Sequence, residues 1–301
     1  MWDANLIELN LACNQICKIG AAAFDDIKDT LQSLVLDNNC LKDIPAEGLR
    51  NFKNLLALHL KHNQITSVDK LQLMNLMSLL MVRLSNNRIT RIDRNGFNNV
   101  PNLRYLFLDH NELSVVEPKS LHQFKYLEIV DLSYNNIVEV PDGAFQDLEN
   151  LMQLNLEGNL IQDIAPNAFS KSPLLVLLLG HNCLNTVSYH MFQGIPFLKQ
   201  LSLANNNIKV IQPFTFVVLP NIHLVDLSHN QLDNLIPVAV APTNKVTVLL
   251  RENPLVCGEN SFHVIQNSSP TLLLDEPNMV CKEKDKKWKE KCPNRKRLLS
   301  R

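Results

Sequence analysis

The sequence has few glycines, no long apolar run and no grouping of catalytic residue types. Only eight of its 301 residues are glycine, and none of them belongs to a phosphate-binding motif. No uninterrupted apolar stretch approaches the roughly 18–20 residues that a membrane-spanning helix needs. The opening residues, MWDANLIELNL, also lack the basic region and the apolar core of a signal peptide. We therefore predict no catalytic residues and no cofactor.

Asparagine recurs along almost the whole chain at intervals of 23 to 25 residues. The recurring positions are Asn14, Asn39, Asn63, Asn87, Asn111, Asn135, Asn159, Asn182, Asn206, Asn230 and Asn253. They define eleven units, which we number in chain order. A fixed period of this length is typical of a solenoid, in which each unit packs on its neighbours.

Apolar residues stand at fixed distances from each of these asparagines. Leucine lies three residues before it in every unit, Leu or Val lies five before, and Leu or Ile lies two after. A second apolar column, rich in phenylalanine, runs ten residues after it, from Phe24 to Val240. Two leucines at strand period 2 both point inward, and the residue between them faces outward. The pattern predicts one short strand per unit above a core of leucine and phenylalanine.

The asparagine column has a structural interpretation. The chain must turn after each strand, and a buried backbone group left unpaired in such a turn costs about 1–3 kcal/mol. An asparagine side chain offers both donors and an acceptor. We therefore expect one asparagine per turn to bond the neighbouring backbone.

The unit LxxLxLxxNxLxxIxxxxFxxLxx resembles the 24-residue "typical" leucine-rich repeat, and the resemblance covers residues 6–255. It implies an α/β-type solenoid, a horseshoe with a concave parallel β-sheet and an irregular or short-helical convex side. The uniform period is similar to that of Toll-type receptors, Slit-like proteins, chaoptin and the acid-labile subunit. We expect the solenoid over residues 1–255, a C-terminal cysteine-containing cap over 256–292 and a basic tail over 293–301.

The C-terminal cysteines are similar to those that cap extracellular leucine-rich repeat proteins. By the family's pairing, Cys257 bonds Cys281 and leaves Cys292 alone, although Glu259 stands where the family has its second cysteine. A Cys257–Cys292 bond stays open, because sequence does not fix connectivity. A bridge here implies an oxidising compartment. The predicted location is therefore extracellular or at the cell surface, and Asn267 is a candidate glycosylation site whose use Pro270 leaves open.

The N-terminal end has no such cap. The first unit begins at Leu6, and five residues cannot cover its leucines, although Trp2 could shield part of that surface. We expect the sequence to be either a fragment or the product of a misplaced gene start, which lacks its signal peptide and N-terminal cap.

The remaining cysteines and the histidines give no metal site. We interpret Cys13, Cys17, Cys40 and Cys183 as separate, partly buried thiols, with a Cys17–Cys40 bridge between adjacent turns as the alternative. No CxxC pair has a matching set of Cys or His. Four histidines share the position before the asparagine: His62, His110, His181 and His229. The nearest two lie two strands, or about 10 Å, apart, which is too far for one metal ion.

Function is expected at the outward positions of the strands, because the core does not need them. Units four to six combine aromatic and aliphatic residues with a charged rim, the composition of a protein-binding patch. The patch comprises Met81, Arg83, Tyr105, Phe107, Asp109, Ile129 and Asp131. Val176 and Leu178 form a second, smaller candidate.

Two functions follow. The first is a non-enzymatic extracellular module that recognises a protein ligand on the concave face, as a receptor or recognition ectodomain does. The alternative is a structural matrix or adhesion protein, which assembles with itself or with other matrix components.

Residues 282–301 carry ten Lys/Arg against three Asp/Glu. This basic end is either a solvated segment or a contact for acidic polysaccharide or a membrane surface, and nucleic acid is disfavoured because the solenoid is acidic.

Overall fold

The leucine pairs of successive units form one parallel sheet. The computed structural model describes residues 5–233, 246–255 and 272–274. Within these residues, twelve three-residue strands follow one another in chain order, each paired with the next. Their bounds are Glu8–Asn10, Ser33–Val35, Ala57–His59, Met81–Arg83, Tyr105–Phe107, Ile129–Asp131, Gln153–Asn155, Val176–Leu178, Gln200–Ser202, Leu224–Asp226, Thr247–Leu249 and Leu272–Leu274. Equivalent residues of neighbouring units face each other, so the sequence period sets the register.

The core lies directly behind this sheet. The apolar positions five and three residues before each asparagine point into it, as Leu106 and Leu108 do with no exposed surface. The phenylalanine column forms a second spine under the convex side, where the ring centroids of Phe145 and Phe169 are 5.9 Å apart. Among the described residues, both predicted columns are therefore buried from unit two onward, Leu9 and Leu11 of unit one are partly buried, and one continuous core runs through these units.

The convex side of the described chain has almost no helix. It contains a four-residue α-helix, Ala46–Leu49, and a 3-10 turn, Tyr189–Phe192. Two-residue strands pair between neighbouring units: Ser67–Val68 with Arg91–Ile92, Leu73–Met74 with Phe97–Asn98, Glu139–Val140 with Asp163–Ile164, and Thr186–Val187 with Val210–Ile211. A left-handed backbone recurs twelve residues after the ladder position, at Asn51, Asn75, Asn99, Asp147, Lys171 and Gly194. Since a right-handed helix cannot continue through such a residue, the convex segments stay short.

A cavity of about 60 Å³ lies beneath the convex side of unit five. Its lining is mainly apolar and includes Leu113 and Leu121. Leu121 occupies the column position that Phe97 and Phe145 hold in the adjacent units. A larger side chain at this position would fill part of the space.

A disulfide joins Cys17 and Cys40, whose Cα atoms are 4.4 Å apart, within the range for such bonds. The interpretation of these two residues as separate thiols is therefore wrong. They occupy different positions in their units, and only the stacking of the first two turns brings them together. Cys183 is disulfide-bonded as well, so its interpretation as a separate thiol is also wrong, whereas Cys13 is a free thiol that is exposed rather than partly buried. The predictions for Cys257, Cys281, Cys292 and Asn267 lie outside the described residues.

Candidate protein-binding surface

The asparagine ladder fixes the end of each concave strand. In unit six, Asn135 Nδ2 donates to the carbonyls of Leu108 and Leu132, both at 3.0 Å. Its Oδ1 accepts from the Leu113 amide at 3.0 Å. The same pattern recurs in every unit from Asn39 to Asn253. Two of these contacts reach the preceding unit, so the ladder ties the turns together as the sequence predicts.

The residue before each ladder asparagine has a left-handed backbone. In all eleven units, from Cys13 to Glu252, its φ lies between 53° and 70°. Asparagine and histidine are enriched in this conformation, and glycine adopts it without strain. Backbone geometry therefore accounts for the histidines that share this position.

The predicted patch of units four to six is assembled as two rows on the concave face. Register places Met81, Tyr105 and Ile129 side by side in one row, and Arg83, Phe107 and Asp131 in the other. Their side chains are half-buried, except that of Arg83, which is exposed. The residues between the two rows belong to the core: Val82, Leu106 and Val130. We call this surface, together with Asp109, the concave patch.

Two contacts orient the aromatic side chains of the concave patch. The guanidinium carbon of Arg83 lies 5.1 Å from the centroid of the Phe107 ring, within the range of a cation–π contact. The Tyr105 hydroxyl donates to Glu128 Oε2 at 3.1 Å, and Arg104 Nη1 donates to Glu128 Oε1 at 2.8 Å. The hydrogen bond to the Glu128 carboxylate raises the pKa of Tyr105. The hydroxyl of Tyr105 is thus held beside the residue that precedes the next strand of the sheet.

The two aspartates of the patch are not merely rim charges. Asp131 Oδ1 accepts from the backbone amide of Ser133 at 2.9 Å and from its hydroxyl at 2.6 Å. Asn155 Nδ2 lies 3.3 Å from Asp131 Oδ2. Asp109 accepts from the Ser85 hydroxyl, and its second oxygen is 3.0 Å from His110 Nδ1. Both carboxylates therefore also hold the surface together, which the sequence pattern did not indicate.

The second candidate stands apart from the concave patch. Val176 and Leu178 face Gln153 and Asn155 on one side and Gln200 and Ser202 on the other. The polar strand Gln153–Asn155 thus separates them from Ile129 by two strand spacings, about 10 Å. They form a small apolar island rather than an extension of the patch.

His59 borders the patch next to Arg83 in register. Burial lowers its pKa, Asp37 partly opposes that effect, and Arg83 adds to it. The neutral imidazole is therefore favoured beside the guanidinium.

The described residues contain no group of three or more His, Cys, Asp or Glu side chains that could hold a metal ion. Over the same part of the chain, no helix is long and apolar enough to span a membrane.

A second hydrogen-bonding ladder, which sequence reasoning missed, runs nine residues before the ladder asparagine. There a side chain donates to the backbone carbonyl 25 residues earlier at 2.6–2.8 Å, in Asn54, Ser78, Asn102, Asn150 and Asn221. Tyr126 and Phe197 stand at this position in units six and nine. The recurrence of asparagine at this spacing is visible in the sequence and could have indicated it.

The chain matches the family model described as "Leucine rich repeat" over residues 29–88, 77–137, 125–178, 171–208 and 196–255. A 71-residue segment is 38% identical to the human "Leucine-rich repeats and immunoglobulin-like domains protein 1". That segment amounts to 24% of this chain and only 6% of the human protein.

Solved structures extend the likeness over more than four-fifths of the chain. A chain from the octameric complex of Latrophilin 3, Unc5D and FLRT2 (LRR) is 26% identical, with a TM-score of 0.71 over 84% of this chain and 77% of that one. A chain from the glycosylated Drosophila Toll–Spatzle complex has a TM-score of 0.72 at 22% identity, over 83% of this chain and 34% of that one. At this identity, the second likeness shows the fold alone. Because the matched segments together cover residues 29–255 without a gap, the chain belongs to the leucine-rich repeat family.

Proposed function

We propose that this chain is a non-enzymatic binding module that recognises a protein ligand through the concave patch. The main support is that Tyr105 lies between Met81 and Ile129 in one row of the sheet, with Phe107 beside Arg83 in the other. These side chains point away from the core, so packing does not require them. The similar structures named above also come from protein–protein complexes.

The geometry of the patch suits a protein surface. Its aromatic side chains are already oriented, Phe107 by Arg83 and Tyr105 by Glu128, so little rotamer freedom is lost on binding. Tyrosine and arginine are among the residue types that most often dominate binding energy, and phenylalanine and methionine are enriched at interfaces. The surrounding carboxylates of Asp109 and Asp131 add a polar rim.

We place this activity outside the cell or at its surface, in a receptor or recognition ectodomain. The Cys17–Cys40 disulfide supports this placement, because structural disulfides persist mainly in oxidising compartments.

The test starts from extracellular and cell-surface protein passed over the immobilised chain. Proteins retained by the unmodified chain but lost from a Tyr105→Ala/Phe107→Ala variant are identified and titrated individually. We expect the double variant to lose at least about 2 kcal/mol of binding free energy, or roughly 30-fold in affinity. Its melting curve should stay close to that of the unmodified chain.

Matched variants separate binding from structure. Tyr105→Phe keeps the ring but removes the hydrogen bond to Glu128, so it should bind better than Tyr105→Ala. Asp131→Asn removes the charge while keeping an acceptor for Ser133, and should mainly slow association. Lys119→Glu on the exposed convex side should change neither. If the double variant bound normally while Lys119→Glu bound weakly, the ligand would bind the convex side and not the concave patch.

A further inference from the structure

A continuous row of side chains lies where the chain enters each concave strand, seven residues before the ladder asparagine. We call it the entry row. Its backbone is a hydrogen-bonded ladder: Met152 N donates to Glu128 O at 2.9 Å, Leu175 N to Met152 O at 2.8 Å, and Lys199 N to Leu175 O at 2.9 Å. Successive side chains are therefore spaced by about 4.8 Å, as strands are. From unit six to unit nine the row reads Glu128, Met152, Leu175, Lys199.

Two aromatic residues flank this part of the entry row. Tyr126 and Phe197 occupy the second-ladder position in units six and nine, where most other units have Asn or Ser, unit two has Thr30 and unit eight has Pro173. Because the residue after each of them is a buried leucine, they face outward together with the entry row. Tyr126 is 48% exposed, Phe197 56% and Met152 40%. These six residues, from Tyr126 to Lys199, form what we call the entry strip.

The entry strip is symmetric about the midpoint between units seven and eight. Its two outer units each supply an aromatic residue, Tyr126 and Phe197, and its two inner units each supply an aliphatic one. The outer units also supply charges of opposite sign, Glu128 and Lys199. A reversed copy of the strip would therefore place apolar groups against apolar groups and each charge against its opposite.

We propose that the entry strip packs against the entry strip of a second copy of this chain. The two-fold axis lies in the interface, perpendicular to the strip and between units seven and eight. It sets Met152 against Leu175 of the second copy, Tyr126 against Phe197, and Glu128 against Lys199. Such an isologous contact uses the same patch on both subunits and closes at the dimer.

The surroundings of the strip are compatible with this pairing. The residues that directly precede the second-ladder position also face each other across this axis. Lys125 lies against Pro196 and Glu149 against Ser172 of the second copy, so no like charges meet in this row. Glu128 already accepts hydrogen bonds from Arg104 and Tyr105, but a carboxylate has about four acceptor positions. It can therefore take a further bond from a lysine ammonium group.

A second copy suits the strip better than an unrelated protein does, because the strip in reversed order is complementary to itself. An unrelated ligand would need a base opposite Glu128 and an acid opposite Lys199, with apolar groups between them. The strip itself, reversed, supplies this order. Binding of a different protein instead is an outcome that the experiment distinguishes.

Charge reversal followed by mixing is the decisive test, with the 301-residue chain studied by analytical ultracentrifugation. Glu128→Lys alone sets lysine against lysine, and Lys199→Glu alone sets glutamate against glutamate. Each should weaken dimerisation at least tenfold. An equimolar mixture of the two variants restores both opposite-charge pairs and should dimerise. Monomeric behaviour of the unmodified chain up to its solubility limit, or no recovery in the mixture, would overturn the proposal.

A second variant guards against misfolding, since Glu128 also bonds Arg104 and Tyr105. Phe197→Asn introduces the residue that unit ten has at the equivalent place, Asn221, which donates to the Pro196 carbonyl at 2.8 Å. This change should keep or raise the melting temperature while weakening the dimer. A purely structural role for Phe197 predicts the opposite, a lower melting temperature with an unchanged dimer.

Charge changes of the same kind on the convex side serve as controls. Glu139→Lys and Lys119→Glu alter exposed residues away from the strip and should leave the dimer constant unchanged. Phe197→Asn also leaves the concave patch intact, so failure of this proposal can be told apart from failure of the proposed ligand binding. A dimer that persists in every strip variant would assign the contact to another surface.

Discussion

Replacement of Asn135 by alanine tests whether the asparagine ladder stabilises the fold as the geometry indicates. The Asn135 side chain makes hydrogen bonds to four backbone groups, of which three have another hydrogen-bond partner and one does not. The three carbonyls each retain another donor: that of Leu108 from Asn111, that of Leu132 from Asn159, and that of Ser133 from the His110 amide. The Leu113 amide, in contrast, has no other acceptor among the described residues.

The expected loss follows from this inventory. An orphaned buried amide costs about 1–3 kcal/mol, and the weakened carbonyl contacts add roughly 1 kcal/mol. We therefore expect Asn135→Ala to lower the free energy of unfolding by about 2–4 kcal/mol. The Leu113 amide should also lose protection from hydrogen exchange before its neighbours, because it is the group left unpaired.

The neighbouring residue provides the control. The side chain of Asn136 is exposed and has no hydrogen bond in the described part of the chain, so Asn136→Ala should change stability by less than about 0.5 kcal/mol. Urea unfolding of the two variants at equal m-value gives the comparison. Equal losses at both positions, or unchanged protection of Leu113 in Asn135→Ala, would refute the assigned role.

Two further predictions concern packing and the disulfide. Cys40→Ser removes the bridge to Cys17, which closes a loop with a sequence separation of 23 residues, and should cost about 3 kcal/mol. Cys13→Ser should cost little, and thermal unfolding under non-reducing conditions compares the two. Leu121→Phe should raise the melting temperature by filling part of the cavity in unit five. Leu127→Phe, at a fully packed position, should lower stability by about 1–3 kcal/mol. If Leu121→Phe lowered the melting temperature as Leu127→Phe does, the space around Leu121 would be too small for a larger side chain.

The repeat itself was readable from the sequence because its causes are local. Strand period 2 sends Leu106 and Leu108 to the core on any stacked unit, and each turn needs an amide such as that of Asn135. The fold and the register follow from the spacing between units. The second ladder follows the same logic, since Asn102 and Asn150 recur at one fixed position.

Tertiary structure decided which side chains at different positions of neighbouring units touch each other. The bond between Cys17 and Cys40 joins unlike positions, and no column in the sequence shows it. Tyr105 reads as a free ring until stacking brings its hydroxyl to the Glu128 carboxylate of the next unit. The sequence by itself determined which side chains leave the core, because that depends on periodicity along one chain. Which of them touch was decided only by stacking, because side-chain contacts across units depend on distance and direction rather than on spacing.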